Sequence, residues 1–536
     1  MTTTILITLI YALILGLLAY RGYKKTQNES DYLLAGREMH PIVMALSYGA
    51  TFISTSAIVG FGGAAGQFGM SLIWLTFLNI FVGVFIAFVA FGKRTRKIGH
   101  ELGAHTLPEL LALRYNSKFI QGFAGLLIFL TMPIYASAIL KGSVDFISKY
   151  YGIGFGVALI IFTVLIAIYV TFGGLKGIMF ADAFQGGIMF LGMMFLLVFT
   201  YSMLGGVSEA HIQLTDLMNS PGVAEQTEKL ASIGFQGWTS MPKFDTPLWW
   251  IVISTLVMGV GIGVLAQPQL AVKYMTVKSD KELNRAVLSG GIFLFMMTGT
   301  AFIVGSLTNV FFYKDTGTIA VIAAGGNDLI IPAYIKTYLP RLFGDVFIII
   351  LLAASLSTLS ALFHTMGTAF GRDFIEKSIG VKGKTIKSAK IGMIISIALS
   401  AVLAFLSSQL DVSMAIIAQG TSLFFGLCAA TFLPSYIGAL YFKSFPKIGA
   451  LSSILTGAFT SLFWIFFVNQ KQASSLQLCN LLFGKPSIVS GTNLAKLAMI
   501  DSILIALPAS ILAGITAWVV YSMKQSNAHK GLEKAA

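Results

Sequence analysis

The stretch ALSYGATFISTSAIVGFGGAAGQFG, from Ala45 to Gly69, is apolar enough to enter a bilayer and yet rich in small and polar residues that weaken a helix. A second stretch, VMGVGIGVLAQPQL from Val257 to Leu270, contains three glycines and a proline. For one such stretch alone, close packing of helices through small residues is a sufficient explanation. Two stretches, five membrane spans apart, instead favour a pair of discontinuous helices that unwind around a binding site near the middle of the membrane.

The composition of the whole chain is that of a membrane protein. Of its 536 residues, 56% are hydrophobic and 11% are charged, whereas a soluble domain has about 25% charged residues. The apolar residues form long runs, and about 20 of them in a row suffice for a helix to cross a bilayer core of about 30 Å. Because every backbone amide in lipid must find a partner within its own segment, we predict an all-α protein.

We predict thirteen membrane spans, separated mostly by short hydrophilic loops. The spans lie near residues 3–22, 40–67, 72–94, 118–146, 155–172, 179–204, 248–274, 285–312, 344–372, 387–409, 411–442, 447–468 and 497–523. The longest segments between them, about 205–246 and 313–341, are expected to be external loops with short helices that lie on the protein.

Lysine and arginine concentrate in every second loop, which indicates the orientation of the chain. These loops contain, among others, Arg21, Arg96, Lys176, Lys273 and Lys278. Since basic loops stay in the cytoplasm, we expect the N-terminus outside and the C-terminus in the cytoplasm. We therefore attribute the net charge of +14 to loop residues that set the orientation of the chain, and we do not expect nucleic acid as a partner.

The residue patterns of common enzyme classes are missing from the sequence. We find no pairing of a nucleophile with a base, no phosphate-binding loop and no metal-ligand spacing such as HExxH. Cys428 lies in an apolar span and Cys479 in a polar loop, which favours neither a disulfide framework nor a metal site. We therefore expect a transporter and no enzyme, with the lipid bilayer as its surroundings and with neither a cofactor nor an obligatory protein partner.

The ninth span carries hydroxyl groups that suggest an ion site. It reads AASLSTLSALFHTMGTAFGRDF, with Ser357, Thr358 and Ser360 within four residues. A single hydroxyl in a membrane helix usually bonds back to its own turn. Three of them opposite a broken helix favour a hard cation such as sodium, because hydroxyl and carbonyl oxygens can replace its hydration shell without burying a fixed anion.

Three further motifs make the chain resemble the solute:sodium symporter family, whose members carry proline, pantothenate, monocarboxylates, sialic acid or sugars. These motifs are SDYLLAGREMHP (Ser30–Pro41), TFGGLKGIMFADAFQ (Thr171–Gln185) and KIGALSSILTG (Lys447–Gly457). The second is similar to the most specific signature of the family. The departures are small, since Gly177 stands where the family usually has Ala, Ser or Pro, and the basic residue before the third motif is shifted by one position. The resemblance covers nearly the whole chain, and it implies a position in the plasma (inner) membrane.

The resemblance implies a LeuT-type core of ten helices in two inverted repeats, at 40–204 and 248–442. An additional helix at 3–22 precedes this core, and two helices at 447–523 follow it. The resemblance also implies one sodium ion between the second and ninth spans, as the coupling ion of a symporter. Its ligands would be the backbone carbonyls of Ala50, Ile53 and Ala354 and the side-chain hydroxyls of Ser357 and Thr358.

Three positions leave alternatives open. Asp182 matches the family aspartate thought to help sodium leave toward the cytoplasm, but it could also cap the helix start or pair with Lys176. Some relatives bind a second sodium with a longer serine cluster in the ninth span, and here Ser360 is present whereas Ala361 follows it. His364 is expected to be a hydrogen-bonded packing residue, with a proton relay as the alternative.

The solute is the least determined part of the prediction. Lys141 and Asp145 are four residues apart, so they form either an intrahelical pair or, in the case of Lys141, a countercharge for a substrate carboxylate. Ser54, Thr55 and Gln267 are candidates for the lining of the solute cavity. We expect a small polar solute, favouring a carboxylate such as a monocarboxylate or pantothenate. Proline or another amino acid, sialic acid, a sugar, and proton coupling on the same fold are the alternatives.

Overall fold

The computed structural model describes residues 2–381, 385–409 and 416–535. Within these ranges, eleven helices are long and apolar enough to cross a membrane. They are Leu6–Lys25, Met70–Glu101, Lys118–Ser148, Gly173–Met203, Pro247–Ala266, Asp280–Thr316, Arg341–Ile379, Thr385–Ser408, Gly420–Tyr441, Lys447–Val468 and Ser502–Ser526.

Two further helical segments correspond to the remaining predicted spans. The pair Pro41–Phe52 and Ser56–Phe68 forms one bent span, and Phe155–Thr171 is an apolar helix of shorter length. Each predicted span thus coincides with helix, although residues 411–415 at the start of the eleventh lie outside the described residues. The prediction of an all-α membrane protein is confirmed.

The second and seventh spans are interrupted, as predicted. Helix Pro41–Phe52 ends at Ile53, whose backbone is extended (φ −88°, ψ 99°), and the two halves of the span are bent by 56°. The seventh span is interrupted at Gln267, which is also extended (φ −74°, ψ 117°). The proline after Gln267 explains this break, because it disfavours helical geometry in the residue before it.

The glycines of the seventh span have a different role from the one expected. Gly261 and Gly263 are part of a regular helical turn. A Cβ on Gly263 would lie 2.7 Å from the carbonyl oxygen of Phe425, and one on Gly261 would lie 2.8 Å from Leu78. These glycines therefore allow close helix packing, and the break itself is made by Gln267 and Pro268.

The longest loops contain short helices, as predicted. The first loop forms Val207–Asp216 and Val223–Ser232, and the second forms Ala320–Ala324 and Ile330–Tyr338. Between these pairs, Trp238 is buried and its indole nitrogen donates to the carbonyl oxygen of Gly66 at 2.9 Å. The first loop therefore lies directly on the second half of the broken second span.

Candidate ion-binding site

The interruption of the second span brings a backbone carbonyl next to the hydroxyls of the ninth span. The carbonyl oxygen of Ala50 accepts hydrogen bonds from Ser357 Oγ at 2.9 Å and from Thr358 Oγ1 at 3.3 Å. Ser357 Oγ also lies 3.2 Å from the carbonyl oxygen of Ala354. Ile53 is the extended residue of the break itself. All five residues are fully buried.

These oxygens suit a small hard cation. They come from backbone carbonyls and neutral hydroxyls, which are ligands that sodium accepts in place of water. They are held by two different helices, because Ala50 lies in the last turn before the break and Ser357 lies in the middle of Arg341–Ile379. A cation bound here would join the second span to the ninth.

Beside this set lies a buried pair of charges that the sequence analysis did not predict. Lys273 Nζ is 3.1 Å from Asp182 Oδ2, and both side chains have 0% exposure. The ammonium also donates to Ser47 Oγ at 2.6 Å, to the Ser47 carbonyl oxygen at 2.7 Å and to Thr51 Oγ1 at 2.5 Å.

The prediction that Lys273 is a basic loop residue is therefore wrong. Helix Pro268–Tyr274 restarts directly after the break at Gln267, which keeps Lys273 inside the bundle. The side chains of a helix lean toward its N-terminus, so this ammonium reaches back toward the second span. The sequence did contain a signal for this position, which is a lysine about one and a half helical turns after the break that Pro268 marks.

Asp182 links this pair to the candidate cation ligands. Its Oδ1 accepts from Ser360 Oγ at 3.4 Å, and Ser360 Oγ also donates to the carbonyl oxygen of Ser357 at 3.1 Å. Lys176, the alternative partner, instead lies 3.4 Å from Asp31. The alternative in which Asp182 pairs with Lys176 is therefore wrong.

Thr55 belongs to a cluster of three hydroxyls that connects the second, fourth and ninth spans. Its hydroxyl contacts Ser143 Oγ at 3.1 Å and forms a short contact with Ser355 Oγ, and Ser143 lies 2.5 Å from Ser355. Ser54 next to it is also buried. Sequence analysis did not single out Ser143 and Ser355, because hydroxyls that also bond back to their own helix are common in spans.

The other candidates for solute contact are engaged within their own segments. Lys141 Nζ forms an ion pair with Asp145 at 2.9 Å, so the intrahelical pair is observed. Gln267 is buried, donates to the carbonyl oxygen of Gly263 at 3.1 Å and accepts from Gln269 at 3.2 Å. Contact of these residues with a solute remains a prediction.

Two cavities and one histidine also bear on the predictions. A cavity of about 260 Å³ is lined by Asp145 and Tyr150 of helix Lys118–Tyr151 and by Asp328 and Lys336. A larger apolar cavity of about 880 Å³ lies between the first span and its neighbours. His364 lies with Nε2 3.1 Å from the carbonyl oxygen of Tyr32, which fits the packing role.

Known proteins resemble this chain over most of its length. The sodium/pantothenate symporter of Haemophilus influenzae is 27% identical over 450 residues, which are 83% of this chain and 86% of the relative. Sodium/proline symporter 2 of Staphylococcus saprophyticus is 26% identical over 506 residues, which are 91% and 90% of the two chains.

Among solved structures, a substrate-bound, outward-open sodium-coupled sialic acid symporter superimposes with a TM-score of 0.73 at 17% identity. The match covers 96% of this chain and 97% of the other, and it shows the fold, which is the LeuT-type inverted-repeat core. The model of the family described as "Sodium:solute symporter family" matches residues 32–457. The chain belongs to the sodium:solute symporter family.

Proposed function

We propose that this protein is a secondary active transporter that couples the entry of a small polar solute to sodium by alternating access. The observation that carries the proposal is the contact of Ser357 and Thr358 with the carbonyl oxygen of Ala50 at the break of the second span. The two inverted repeats would be residues 40–204 and 248–442, with the ion between a helix of the first repeat and a helix of the second.

A sodium ion at this site would turn a hydrogen-bonded contact into a coordinated one. Each hydroxyl would direct an oxygen lone pair to the ion, and the Ala50 carbonyl oxygen would do the same. The ion therefore favours the arrangement in which the second and ninth spans are close. In alternating access, such a preference stabilises one state of the transporter, to which the solute then binds.

The ion pairs around Arg372 support a state in which the protein is closed at the end of the bundle where the basic loops lie. Arg372 forms two hydrogen bonds of 2.9 Å to Glu109 and a further ion pair with Glu29. Gln121, near the N-terminal end of the fourth span, donates a hydrogen bond to Asp373 beside this network. The cavity of about 260 Å³ lies at the C-terminal end of the same helix. We propose that the Arg372 end faces the cytoplasm, in accordance with the excess of basic residues in its loops.

A carboxylate such as a monocarboxylate or pantothenate is the solute class we favour. Lys141 would act as its countercharge by exchanging Asp145 for the carboxylate, and Ser54, Thr55 and Gln267 would line the cavity. Two curated relatives are named for pantothenate and for proline, so an amino acid is the second candidate, ahead of sialic acid and sugars. Proton coupling on the same fold is the alternative to sodium.

The energetics suffice for accumulation. One charge that moves through 100 mV contributes about 2.3 kcal/mol, and a tenfold sodium gradient adds about 1.4 kcal/mol. One sodium could then concentrate a neutral solute roughly several-hundredfold. A monoanion that moves with one sodium loses the voltage contribution and gains about tenfold.

Transport in proteoliposomes tests this proposal. We expect uptake of one solute from a panel of carboxylates, amino acids and sugars only when sodium, and not choline, is outside. Uptake is measured with radiolabelled solute and, in parallel, as current on a solid-supported membrane, because a sodium–monoanion pair carries no net charge.

Two variants decide whether the ion site is correct. The double variant Ser357→Ala/Thr358→Ala should lose sodium dependence and most uptake. Ser400→Ala is the matched control, because the Ser400 hydroxyl bonds within its own helix, to the carbonyl oxygen of Ser396 at 2.7 Å. Sodium-driven uptake that survives in the double variant would overturn the site, and uptake driven by a proton gradient without sodium would overturn sodium coupling.

A further inference from the structure

The surroundings of the Lys273 ammonium are those of a cation site. Four oxygen atoms lie within 3.1 Å of Nζ, namely the Ser47 carbonyl, the Ser47 and Thr51 hydroxyls and one oxygen of Asp182. An ammonium group has only three protons to donate. Carbonyl, hydroxyl and carboxylate oxygens are also the ligand types that a hard metal cation takes.

This second oxygen cluster adjoins the candidate sodium site. Ser47 and Thr51 lie on the same helix as Ala50, within one turn of it on either side. On the other side, Asp182 is connected through Ser360 to the backbone of Ser357. The two clusters therefore share helices, and Asp182 is the one anionic group named in either of them.

The lysine satisfies the charge that would otherwise attract an ion. A carboxylate with 0% exposure requires a cation nearby, because an unpaired buried charge is strongly unfavourable. Here Lys273 supplies that cation from within the chain, and its ammonium fills the space between Asp182 and the second span. A free sodium ion at Asp182 would meet both a filled position and a like charge.

We propose that the Lys273 ammonium acts as a built-in cation in the place of a second sodium beside Asp182, so that one chain binds one sodium. This inference rests on the proposed sodium-coupled symport. It gives Lys273 a defined task in coupling, which is to fix the number of sodium ions that move with each solute. It also predicts that removal of the ammonium alone creates a second sodium site from Ser47, Thr51, Asp182 and Ser360.

Equilibrium binding of radioactive sodium to the purified full-length protein in nanodiscs tests the inference. The expected stoichiometries are one sodium for the wild-type protein and two for Lys273→Met, with the Hill coefficient for sodium rising from about 1 toward 2. The matched control is Lys273→Met/Asp182→Asn, which lacks both charges and should return to one sodium. Monodisperse elution in size-exclusion chromatography verifies that each variant is folded.

A measurement with Lys273 in place keeps the inference testable if Lys273→Met does not fold. Ser357→Ala/Thr358→Ala, which retains the lysine, should bind no sodium, because the position at Asp182 is filled. One sodium in that variant, two in the wild-type protein, or one in Lys273→Met would overturn the inference. No sodium in the wild-type protein would instead overturn the proposed function on which the inference rests.

Discussion

At the scale of single residues, the protein contains an ion pair that is buried away from water. Asp182 and Lys273 have 0% exposure and lie 3.1 Å apart. Three other oxygens, from Ser47 and Thr51, surround the ammonium. Such an arrangement is tolerated because each charge finds both an opposite charge and hydrogen bonds. It follows that the pair is sensitive to the loss of one partner and much less so to the loss of both.

We therefore expect Asp182→Asn and Lys273→Met to lower the free energy of unfolding by about 3–5 kcal/mol each, as is usual when one partner of a buried ion pair is removed. The double variant should be less destabilised than either single variant. Thermal unfolding in detergent with choline as the only monovalent cation measures this. Strictly additive losses in the double variant would show that the two charges do not interact.

At the scale of helices, close crossings position the broken spans. A Cβ on Gly305 would lie 2.1 Å from the carbonyl oxygen of Gly62, in the second half of the broken second span. Side chains cannot occupy such a space, so the helix around Gly305 and the helix Phe61–Phe68 touch backbone to backbone. The break of the second span is thereby held from outside as well as by its own sequence.

For Gly305→Ala we expect a loss of about 1–3 kcal/mol in the free energy of unfolding, because the added methyl forces the two helices apart. Gly291→Ala is the control on the same long helix, since a Cβ there has nothing within 4 Å. The ratio of folded to aggregated protein after heating compares the two variants. Equal losses for both would contradict the role given to this crossing.

The helices themselves could be predicted from the sequence, and the contacts between them only in part. Long apolar runs determine the spans, and Pro268 marks the break at Gln267. Ser357 and Thr358 were singled out as candidates because they are clustered in the sequence. The partners of Thr55, by contrast, come from residues 88 and 300 positions away. Helical periodicity does not determine the rotation of one helix against another, so such partners emerge only when the helices are packed.

At the scale of the whole molecule, a network of charges joins several segments at one end of the bundle. Arg372 joins Glu109 and Glu29, which lie on two separate short helices. Thr106 and Gln121 both donate to Asp373 next to it, at 2.8 and 2.9 Å. These contacts connect the end of the ninth span to the fourth span and to the segment before the second. Opening of this end requires that they separate.

Arg372→Ala should therefore open this end and increase the access of water to the ninth span. A reporter cysteine at Thr368, a buried position one turn before Arg372, should react faster with a water-soluble maleimide in the Arg372→Ala background. Arg285→Ala, the change of an exposed arginine, is the matched control. An unchanged labelling rate in both backgrounds would contradict a closing role for Arg372.

The loop that lies on the second span gives the protein an optical reporter of its own. Trp238 is 1% exposed and is held by its hydrogen bond to Gly66 of the broken span. If that half of the span moves relative to the loop, the indole meets water and its emission shifts to longer wavelength. Sodium and solute should thus change the intrinsic fluorescence of the unlabelled protein, and Trp238→Phe should abolish the change. The transport cycle could then be followed in real time without any attached dye.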